Sequence, residues 1–249
     1  MSGVAHLFSG GVDSTLAASL LAERFREVHL VTFRRAGFLA EEKALARLER
    51  LRDRHPGAEI THRFLDVGPF YEELSGGWSD LRRHGVLALA PCGVCKVSMH
   101  WRLLLYCLEH GLRHASDGAA AGAEEYAEQN PRILMPALDA FYREFGVEKI
   151  SPAFRPDRSN EEALYRRGIS ESPTVKRTAQ DDQILCSQQV LFAMSMRVYL
   201  ARHSFPEYEA AQRGYLGEAL GRAAGLTREF VKGGKPTRVW ELLERAVRA

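Results

Sequence analysis

The chain has 249 residues, enough for one large domain or for one domain with a substantial extension. Hydrophobic residues make up 45% and charged residues 27%, which is typical of a globular protein that can bury a sizeable core. A net charge of +2 provides no global field for nucleic acid, and the absence of any apolar run of about eighteen residues excludes a predicted membrane span. No basic segment followed by an apolar core opens the chain, so we expect no leader peptide and a cytoplasmic protein.

The first part of the chain alternates apolar runs with amphipathic ones. Apolar residues at 4–8 predict a strand that leads through a glycine turn into a helix over 15–25. The β-branched run at 28–33 predicts a second strand, and the alternation at 59–67 predicts a third. Between them, 40–54 carries leucines on one face and charges on the other, which is typical of a helix. Strands that alternate with helices predict a parallel sheet with right-handed crossovers.

The middle of the chain is less regular. The region 70–90 is less regular, with a loop near the ligand edge of the sheet suggested at 76–78, and we expect a helix over 97–110. A short fourth strand should end at 115–118. Small residues, acids and two prolines predict an irregular segment at 119–136 that could act as a lid, followed by a helix over 138–145.

The last part of the chain changes character near residue 172. A fifth strand at 149–152 and a short helix over 160–167 complete the alternating pattern. We therefore predict an α/β fold, a doubly wound, Rossmann-like parallel sheet of five strands in a nucleotide-binding domain over 1–172. A helical extension over 173–249 should follow. Its predicted helices cover 183–202, 207–224 and 240–247.

The glycine turn after the first strand carries the most specific motif, Ser-Gly-Gly-Val-Asp-Ser at 9–14. Its two glycines leave no Cβ between the backbone and a ligand, and they tolerate positive φ. The hydroxyls of the serines and of Thr15 lie beside the unpaired N–H groups of the next helix, and such a terminus binds anions. The predicted ligand is a phosphate or a pyrophosphate. A Walker A loop would need a lysine after the glycines, and a dinucleotide loop a G-x-G-x-x-G pattern; neither is present.

This motif resembles the loop of the PP-loop ATP pyrophosphatase superfamily, whose signature Ser-Gly-Gly-x-Asp-Ser directly follows the first strand. Looser similarity extends over about residues 4–170. It includes Asp117-Gly118 after the fourth strand and the segment from 150 to 169. In that segment Ala153 stands where the superfamily usually has leucine, and the lysine expected before the Glu pair is absent.

The resemblance implies an adenylating enzyme. The loop would hold the β- and γ-phosphates of ATP, so that a substrate carbonyl oxygen attacks the α-phosphate and pyrophosphate leaves. Asp13 would be the carboxylate linked to Mg²⁺, which neutralises the leaving group; helix capping is its alternative role. Lys96 and Arg177 are candidate phosphate contacts, although exposed basic residues are usually only solvated. The implied nucleotide site comprises Ser9, Gly10, Gly11, Val12, Asp13, Ser14, Thr15, Thr32, Phe33, Asp117 and Gly118.

Four cysteines provide a second candidate site. In a reducing compartment, a Cys92-x-x-Cys95 pair favours a metal or redox site over a structural disulfide. Its predicted place before a helix is one that lowers the pKa of a thiol. Cys186 lies far downstream, and Cys107 has apolar neighbours, so we expect Cys107 in the core.

A cysteine pair with a remote third cysteine resembles the iron–sulfur tRNA thiolases of the same superfamily, in which three cysteines hold a [4Fe-4S] cluster. By this resemblance Cys92, Cys95 and Cys186 would be metal ligands, and Asp13, Cys95 and Cys186 catalytic residues. Three alternatives stay open: a Zn²⁺ site completed by a histidine, a Cys95 persulfide resolved by Cys92 or Cys186, and packing alone.

The leading functional hypothesis is an ATP-dependent sulfurtransferase that thiolates a tRNA base or a small molecule, with a separate sulfur donor. The alternatives are an amidating enzyme similar to cyanodeazaguanine synthase, a relative of the sulfur transferases that mature the lactate racemase cofactor, and a non-catalytic nucleotide-binding module. A basic turn at 232–238 could contact an RNA backbone, but a solvated loop is the simpler interpretation. A homodimer is among the expectations.

Overall fold

The computed structural model describes residues 3–39, 44–45, 47–89, 92–122, 124–155, 160–171, 185–186, 189–233 and 237–248. The described strands are β1 Gly3–Leu7, β2 Glu27–Arg34, β3 Phe38–Leu39, β4 Glu59–Asp66, β5 His114–Ser116, β6 Glu148–Ile150 and β7 Leu185–Cys186. The described α-helices are α1 Val12–Ala22, α2 Leu48–Arg54, α3 Gly68–Leu74, α4 Trp78–His84, α5 Cys92–Glu109, α6 Met135–Glu144, α7 Asn160–Arg166, α8 Gln189–Leu200, α9 Phe205–Lys232 and α10 Arg238–Arg248. Short 3₁₀ turns cover Gly85–Leu89 and Ala127–Gln129.

The main sheet has five parallel strands in the order β4-β2-β1-β5-β6. This arrangement confirms the predicted α/β fold. The chain moves outward from β1 in one direction through β2 and β4, then in the other through β5 and β6. A crevice therefore forms at the carboxyl ends of β1 and β5, where ligands bind in sheets of this kind.

Helices cover both faces of the sheet, so the prediction of a doubly wound arrangement is also confirmed. One buried apolar cluster joins β1 and β2 to α1, α2 and α7, through residues such as Leu16, Leu51 and Leu164. The other joins the sheet to α5 and the C-terminal helices, through residues such as Trp101 and Leu242. Such strands are buried on both faces, which explains why they are continuous apolar runs in the sequence.

The structure differs from two sequence expectations in the middle of the chain. Over the described residues 70–89 the less regular region consists of short helices, and the loop suggested at 76–78 is limited to the residues between α3 and α4. Asp80 of α4 stabilises the loop between α3 and α4 by accepting a hydrogen bond from the Gly76 N–H at 2.8 Å. The helix expected over 97–110 begins at Cys92, so the cysteine pair lies in its first turn.

The C-terminal helices pack directly against α5. A Cβ on Gly93 would lie 2.8 Å from the Leu216 side chain of α9, so the two helices are in close contact. The Trp101 indole N–H donates to Thr227 Oγ1 at 2.9 Å across the same interface. A separate extension over 173–249 stays a prediction, since this packing is that of one shared core. Parts of the predicted helices at 40–54 and 183–202 lie outside the described residues.

The expected lid segment at 119–136 is tied to the C-terminal helices. Asn130 donates to Glu209 Oε1 at 2.9 Å, and the Tyr208 hydroxyl donates to the Glu125 carbonyl at 2.8 Å. The Tyr126 ring stacks on Phe192 of α8 with centroids 5.0 Å apart.

In the described part of the chain, no helix is both long enough and apolar enough to cross a membrane.

Candidate functional site

The turn after β1 is held by its own backbone and hydroxyl groups. Gly10 has a φ of 75°, which only glycine adopts without strain. Ser14 Oγ accepts a hydrogen bond from the Ser9 N–H at 3.0 Å and donates to the Leu7 carbonyl at 3.2 Å. The first N–H groups of α1 therefore lie at a fixed glycine turn, which is the geometry of an anion site.

Gly118 follows β5 and lies against this turn. A Cβ at Gly118 would be 2.7 Å from Ser14 Cα and 2.8 Å from Ser14 N, closer than any real contact of this kind. Because both neighbours are backbone atoms, neither can move aside cheaply. The crossing of these two loops explains why a glycine is needed at this position.

A cavity of about 270 Å³ opens at the turn, on the carboxyl side of the sheet. It joins the two groups of residues that the sequence singled out, the glycine turn and the cysteines. Its lining comprises Leu7, Phe8, Ser9, Gly11, Val12, Asp13, Ser14, Val31, Phe33, Arg35, Phe38, Cys92, Cys95, Lys96, Met99, His100, Asp117, Gly118, Ala119, Tyr126, Gln129 and Cys186.

Three residues of the predicted nucleotide site do not border this cavity: Gly10, Thr15 and Thr32. Thr15 Oγ1 donates to the Gly10 carbonyl at 3.2 Å, and Thr32 Oγ1 donates to the Phe8 carbonyl at 2.8 Å. Both hydroxyls thus brace the turn from behind. Contact of these residues with a nucleotide stays a prediction.

Asp13 reaches the cavity and has a partner that sequence reasoning missed. Its Oδ1 accepts a hydrogen bond from Asn160 Nδ2 at 2.8 Å, and the same amide donates to the Ala153 carbonyl at 3.1 Å. Burial raises the pKa of Asp13, and the bond from Asn160 partly offsets that rise. No sequence signal near Asn160 indicated this contact, because the two residues meet only through the packing of α7 on α1.

Asp117 faces the cavity from the opposite side and belongs to a buried charged network. Its Oδ2 lies 3.2 Å from Lys149 Nζ, whose side chain is 2% exposed, and 3.7 Å from His100 Nε2. Burial alone would raise the pKa of Asp117, but the charge of Lys149, together with hydrogen bonds from Ser151 and the Ala119 N–H, outweighs it and lowers the pKa. Burial lowers the pKa of His100 to about 3, so this histidine is neutral at physiological pH.

A second neutral histidine lies beneath the turn. His6 Nε2 is 3.0 Å from the Ser14 carbonyl, and its Nδ1 is 3.1 Å from Ser116 Oγ. Because a carbonyl only accepts, Nε2 carries the hydrogen and Nδ1 is the acceptor. Burial lowers the pKa of His6 to about 4, which keeps this arrangement intact at neutral pH.

One face of α5 forms the wall opposite the turn. Cys92, Cys95, Lys96, Met99 and His100 all border the cavity. Their spacing of three or four residues places them on one side of a helix. The sequence contains this pattern, but it becomes informative only once the helix is known to begin at Cys92.

Cys186 joins this wall through a contact that the sequence did not predict. The short strands β3 and β7 pair in antiparallel fashion, with Phe38 opposite Cys186.

Burial raises the pKa of the Cys95 thiol, while the positive charges of Arg35 and Lys96 oppose that rise. The fourth thiol, Cys107, is fully buried in the core as expected, and burial raises its pKa to about 12.

The predicted metal centre does not form among the described residues. There, no group of three or more His, Cys, Asp or Glu side chains is gathered closely enough to hold a metal ion. Cys92, Cys95 and Cys186 share the cavity without forming a compact ligand set, so their role as ligands of an iron–sulfur cluster or Zn²⁺ stays a prediction and no step is derived through such a centre. Arg177, the candidate phosphate contact, lies outside the described residues.

Fold and site together define a doubly wound α/β protein whose first strand leads into a glycine turn with the geometry of an anion site. No family model and no curated protein matches the chain. Among solved structures it is similar to the NMN synthetase of Francisella tularensis, with 13% identity, a TM-score of 0.45 and coverage of 89% of this chain and 84% of that one.

Two further solved structures resemble the chain. A U34-tRNA thiolase from Methanococcus maripaludis with its [4Fe-4S] cluster has 15% identity, a TM-score of 0.42 and coverage of 88% of this chain and 72% of that one. A 4-thiouridine synthetase in complex with RNA and ATP has 13% identity and a TM-score of 0.45, and the match covers 90% of this chain but 53% of that one. At TM-scores below 0.5 we draw no functional conclusion from them.

Proposed function

We propose that this protein is an ATP-dependent adenylating enzyme that transfers sulfur to an activated carbonyl carbon. One observation carries the proposal: the glycine turn at 9–14 and the three thiols Cys92, Cys95 and Cys186 border the same cavity. A site that only binds phosphate does not require thiols nearby, and a thiol site that only binds a metal or forms a disulfide does not require a phosphate site nearby. Their shared cavity supports a reaction in which a phosphate leaves and a sulfur arrives.

In the first half-reaction, the turn would hold the β- and γ-phosphates of ATP through the N–H groups at the start of α1. Asp13 would bind the Mg²⁺ that balances the charge of the leaving pyrophosphate. The acceptor's carbonyl oxygen attacks the α-phosphorus, the bond to the β-phosphate oxygen breaks, and an AMP ester forms. N–H donors fixed in advance stabilise the charge that develops on pyrophosphate.

In the second half-reaction, Cys95 would carry a persulfide loaded by an external sulfur donor. The terminal sulfur attacks the activated carbon and AMP leaves, so that Cys95 and the acceptor are joined by a disulfide. A thiolate of Cys92 or Cys186 then attacks the Cys95 sulfur. The thiocarbonyl product departs, and the protein disulfide that remains is reduced by an external dithiol, which restores the thiols.

The surroundings of Cys95 support its role as the carrier. Burial raises the pKa of the Cys95 thiol, and the positive charges of Arg35 and Lys96 oppose that rise; the same charges would stabilise a persulfide anion at this position. Cys186 is half-buried and borders the same cavity, so it is placed to resolve the intermediate.

The test measures pyrophosphate release and thiolated product separately, with ATP, Mg²⁺, a low-molecular-weight persulfide as the donor of sulfane sulfur, dithiothreitol and either unmodified tRNA or small lactams as acceptors. Asp13→Asn should lower both signals by about a hundredfold, because the leaving group loses its cation. Cys95→Ser should abolish the thiolated product while pyrophosphate release continues.

Matched variants control for folding. Asp53→Asn changes a carboxylate on the exposed side of α2, and Cys107→Ala removes a thiol that lies outside the cavity. Both variants should retain pyrophosphate release and the thiolated product. Product that contains nitrogen when ammonia replaces the persulfide donor would indicate the amidating alternative. Tight ATP binding without pyrophosphate release with any acceptor would instead identify a nucleotide-binding module.

A further inference from the structure

The peptide between Gly10 and Gly11 is held in one orientation by two side chains. Its carbonyl oxygen accepts a hydrogen bond from Arg47 Nη1 at 2.8 Å and another from Thr15 Oγ1 at 3.2 Å. In a planar trans peptide the C=O and N–H groups point in opposite directions. Because both donors hold the carbonyl, the Gly11 N–H must face the opposite side.

That opposite side is the cavity. The Gly11 N–H donates to Ser9 Oγ at 3.3 Å, and Ser9 and Gly11 both border the cavity. A serine side chain can change rotamer and leave this position. An anion oxygen that replaces the hydroxyl would then accept the hydrogen bond from the same N–H.

Such an orientation needs to be enforced, because it lies within a glycine pair. Glycines populate positive and negative φ about equally, and Gly10 already has a φ of 75°. Rotation of this peptide would direct the Gly10 carbonyl oxygen, a partial negative charge, toward the anion. The two donors to that oxygen prevent this rotation, and Arg47 also brings a positive charge to the turn.

We infer that Arg47 is a positioning residue that aims the Gly11 N–H at the pyrophosphate portion of ATP by holding the Gly10 carbonyl. This role rests on the proposed function, since it presumes that the turn binds the leaving phosphates. Arg47 does not border the cavity, so it acts through the peptide and not by contact with the ligand.

The experiment compares binding of three probes in the presence of Mg²⁺ by calorimetry: ATP, inorganic pyrophosphate and AMP. Arg47→Met should weaken ATP and pyrophosphate binding by at least about tenfold, the scale of one charge-assisted hydrogen bond. AMP binding should change less than about twofold, because AMP lacks the phosphates that the turn would hold. Arg54→Met, which removes an exposed arginine of α2, should leave all three affinities unchanged.

Variants of Thr15 separate peptide orientation from charge. Thr15→Val removes a donor to the Gly10 carbonyl without changing any charge, so it should show the same selective loss of pyrophosphate binding. Thr15→Ser keeps the hydroxyl and should restore it. The inference is overturned if Arg47→Met weakens AMP and pyrophosphate equally, or if Thr15→Val binds pyrophosphate normally. Failure of the unaltered protein to bind ATP or pyrophosphate would contradict the proposed function instead.

Discussion

The two sides of the cavity are built in different ways. The turn at 9–14 is mainly local: hydrogen bonds within it join residues a few positions apart, and Thr32 and Arg47 add bonds from farther along the chain. The thiol wall is assembled at long range, from the first turn of α5 and from a two-residue strand that contains Cys186. A short motif therefore specifies most of the turn, whereas the grouping of the three thiols requires the folded chain.

The sharpest way to break the local side is through Gly118. Gly118→Ala places a Cβ within 2.8 Å of the Ser14 backbone and should displace the turn. We expect pyrophosphate release to fall by at least about a hundredfold, because displacements of about 1 Å have effects of this size in active sites. Gly57→Ala adds a Cβ that meets no atom within 4 Å, so this variant should release pyrophosphate at the normal rate. Equal activity of the two variants would contradict the close approach of the two loops.

The long-range side can be tested by the order in which its thiols react. Cys107 is buried and its pKa is raised to about 12, so at pH 8 almost none of it is thiolate. Cys186 is half-buried at the cavity and should be alkylated by iodoacetamide at least about a hundredfold faster. Cys95 should react more slowly than Cys186, and its rate should increase with pH, since burial raises its pKa. Mass spectrometry of a time course would measure these rates, and rapid labelling of Cys107 would contradict the assigned core position.

We expect acid to lower the free energy of unfolding by protonating His6, which is buried beneath the turn. His6 has an ordinary pKa of 6.5 when unfolded and one of about 4 when folded, because burial disfavours its charged form. The unfolded chain therefore binds more protons between these values, and stability falls as pH decreases from 6.5 toward 4. At pH 5 the loss from His6 should be about 2 kcal/mol relative to pH 7.

Urea unfolding at the two pH values measures this loss. His6→Gln cannot titrate, so the difference between pH 7 and pH 5 should shrink by that amount, whereas His203→Gln at an exposed turn should leave it unchanged. A pH dependence that is the same in all three proteins would exclude a neutral buried His6. His62 and His100 shift in the same direction and account for part of the remaining dependence.

The smallest expected effect concerns the support of the thiol wall by α9. Thr227→Val leaves the buried Trp101 N–H without its partner and should cost about 1–2 kcal/mol of unfolding free energy. Thr61→Val is the matched control, because Thr61 Oγ1 is buried without a hydrogen-bond partner among the described residues. Thr61→Val should leave the unfolding free energy unchanged or raise it slightly. A loss as large as that of Thr227→Val would contradict the stabilising role given to the hydrogen bond between Trp101 and Thr227.

Sequence patterns were sufficient wherever a structure depends on neighbours along the chain. The five strands of the sheet, its α/β class and the glycine turn could all be predicted, because apolar runs and Ser-Gly-Gly-Val-Asp-Ser have local physical consequences. The same reasoning missed the short helices α3 and α4, although the glycine pair at 76–77 does lie in a loop between them. It also placed the start of α5 too late, which concealed the row of side chains from Cys92 to His100.

What only the tertiary structure decided is which distant residues meet. Asn160 binds Asp13, Lys149 neutralises Asp117, and β3 and β7 bring Cys186 to the cavity. None of these contacts has a periodicity or a spacing in the sequence, because each depends on how separate elements pack across the sheet. The amino-acid sequence by itself therefore determined a glycine turn on a parallel sheet, because both depend on local patterns. The folded chain determined which buried partners hold its charges and which thiols it faces.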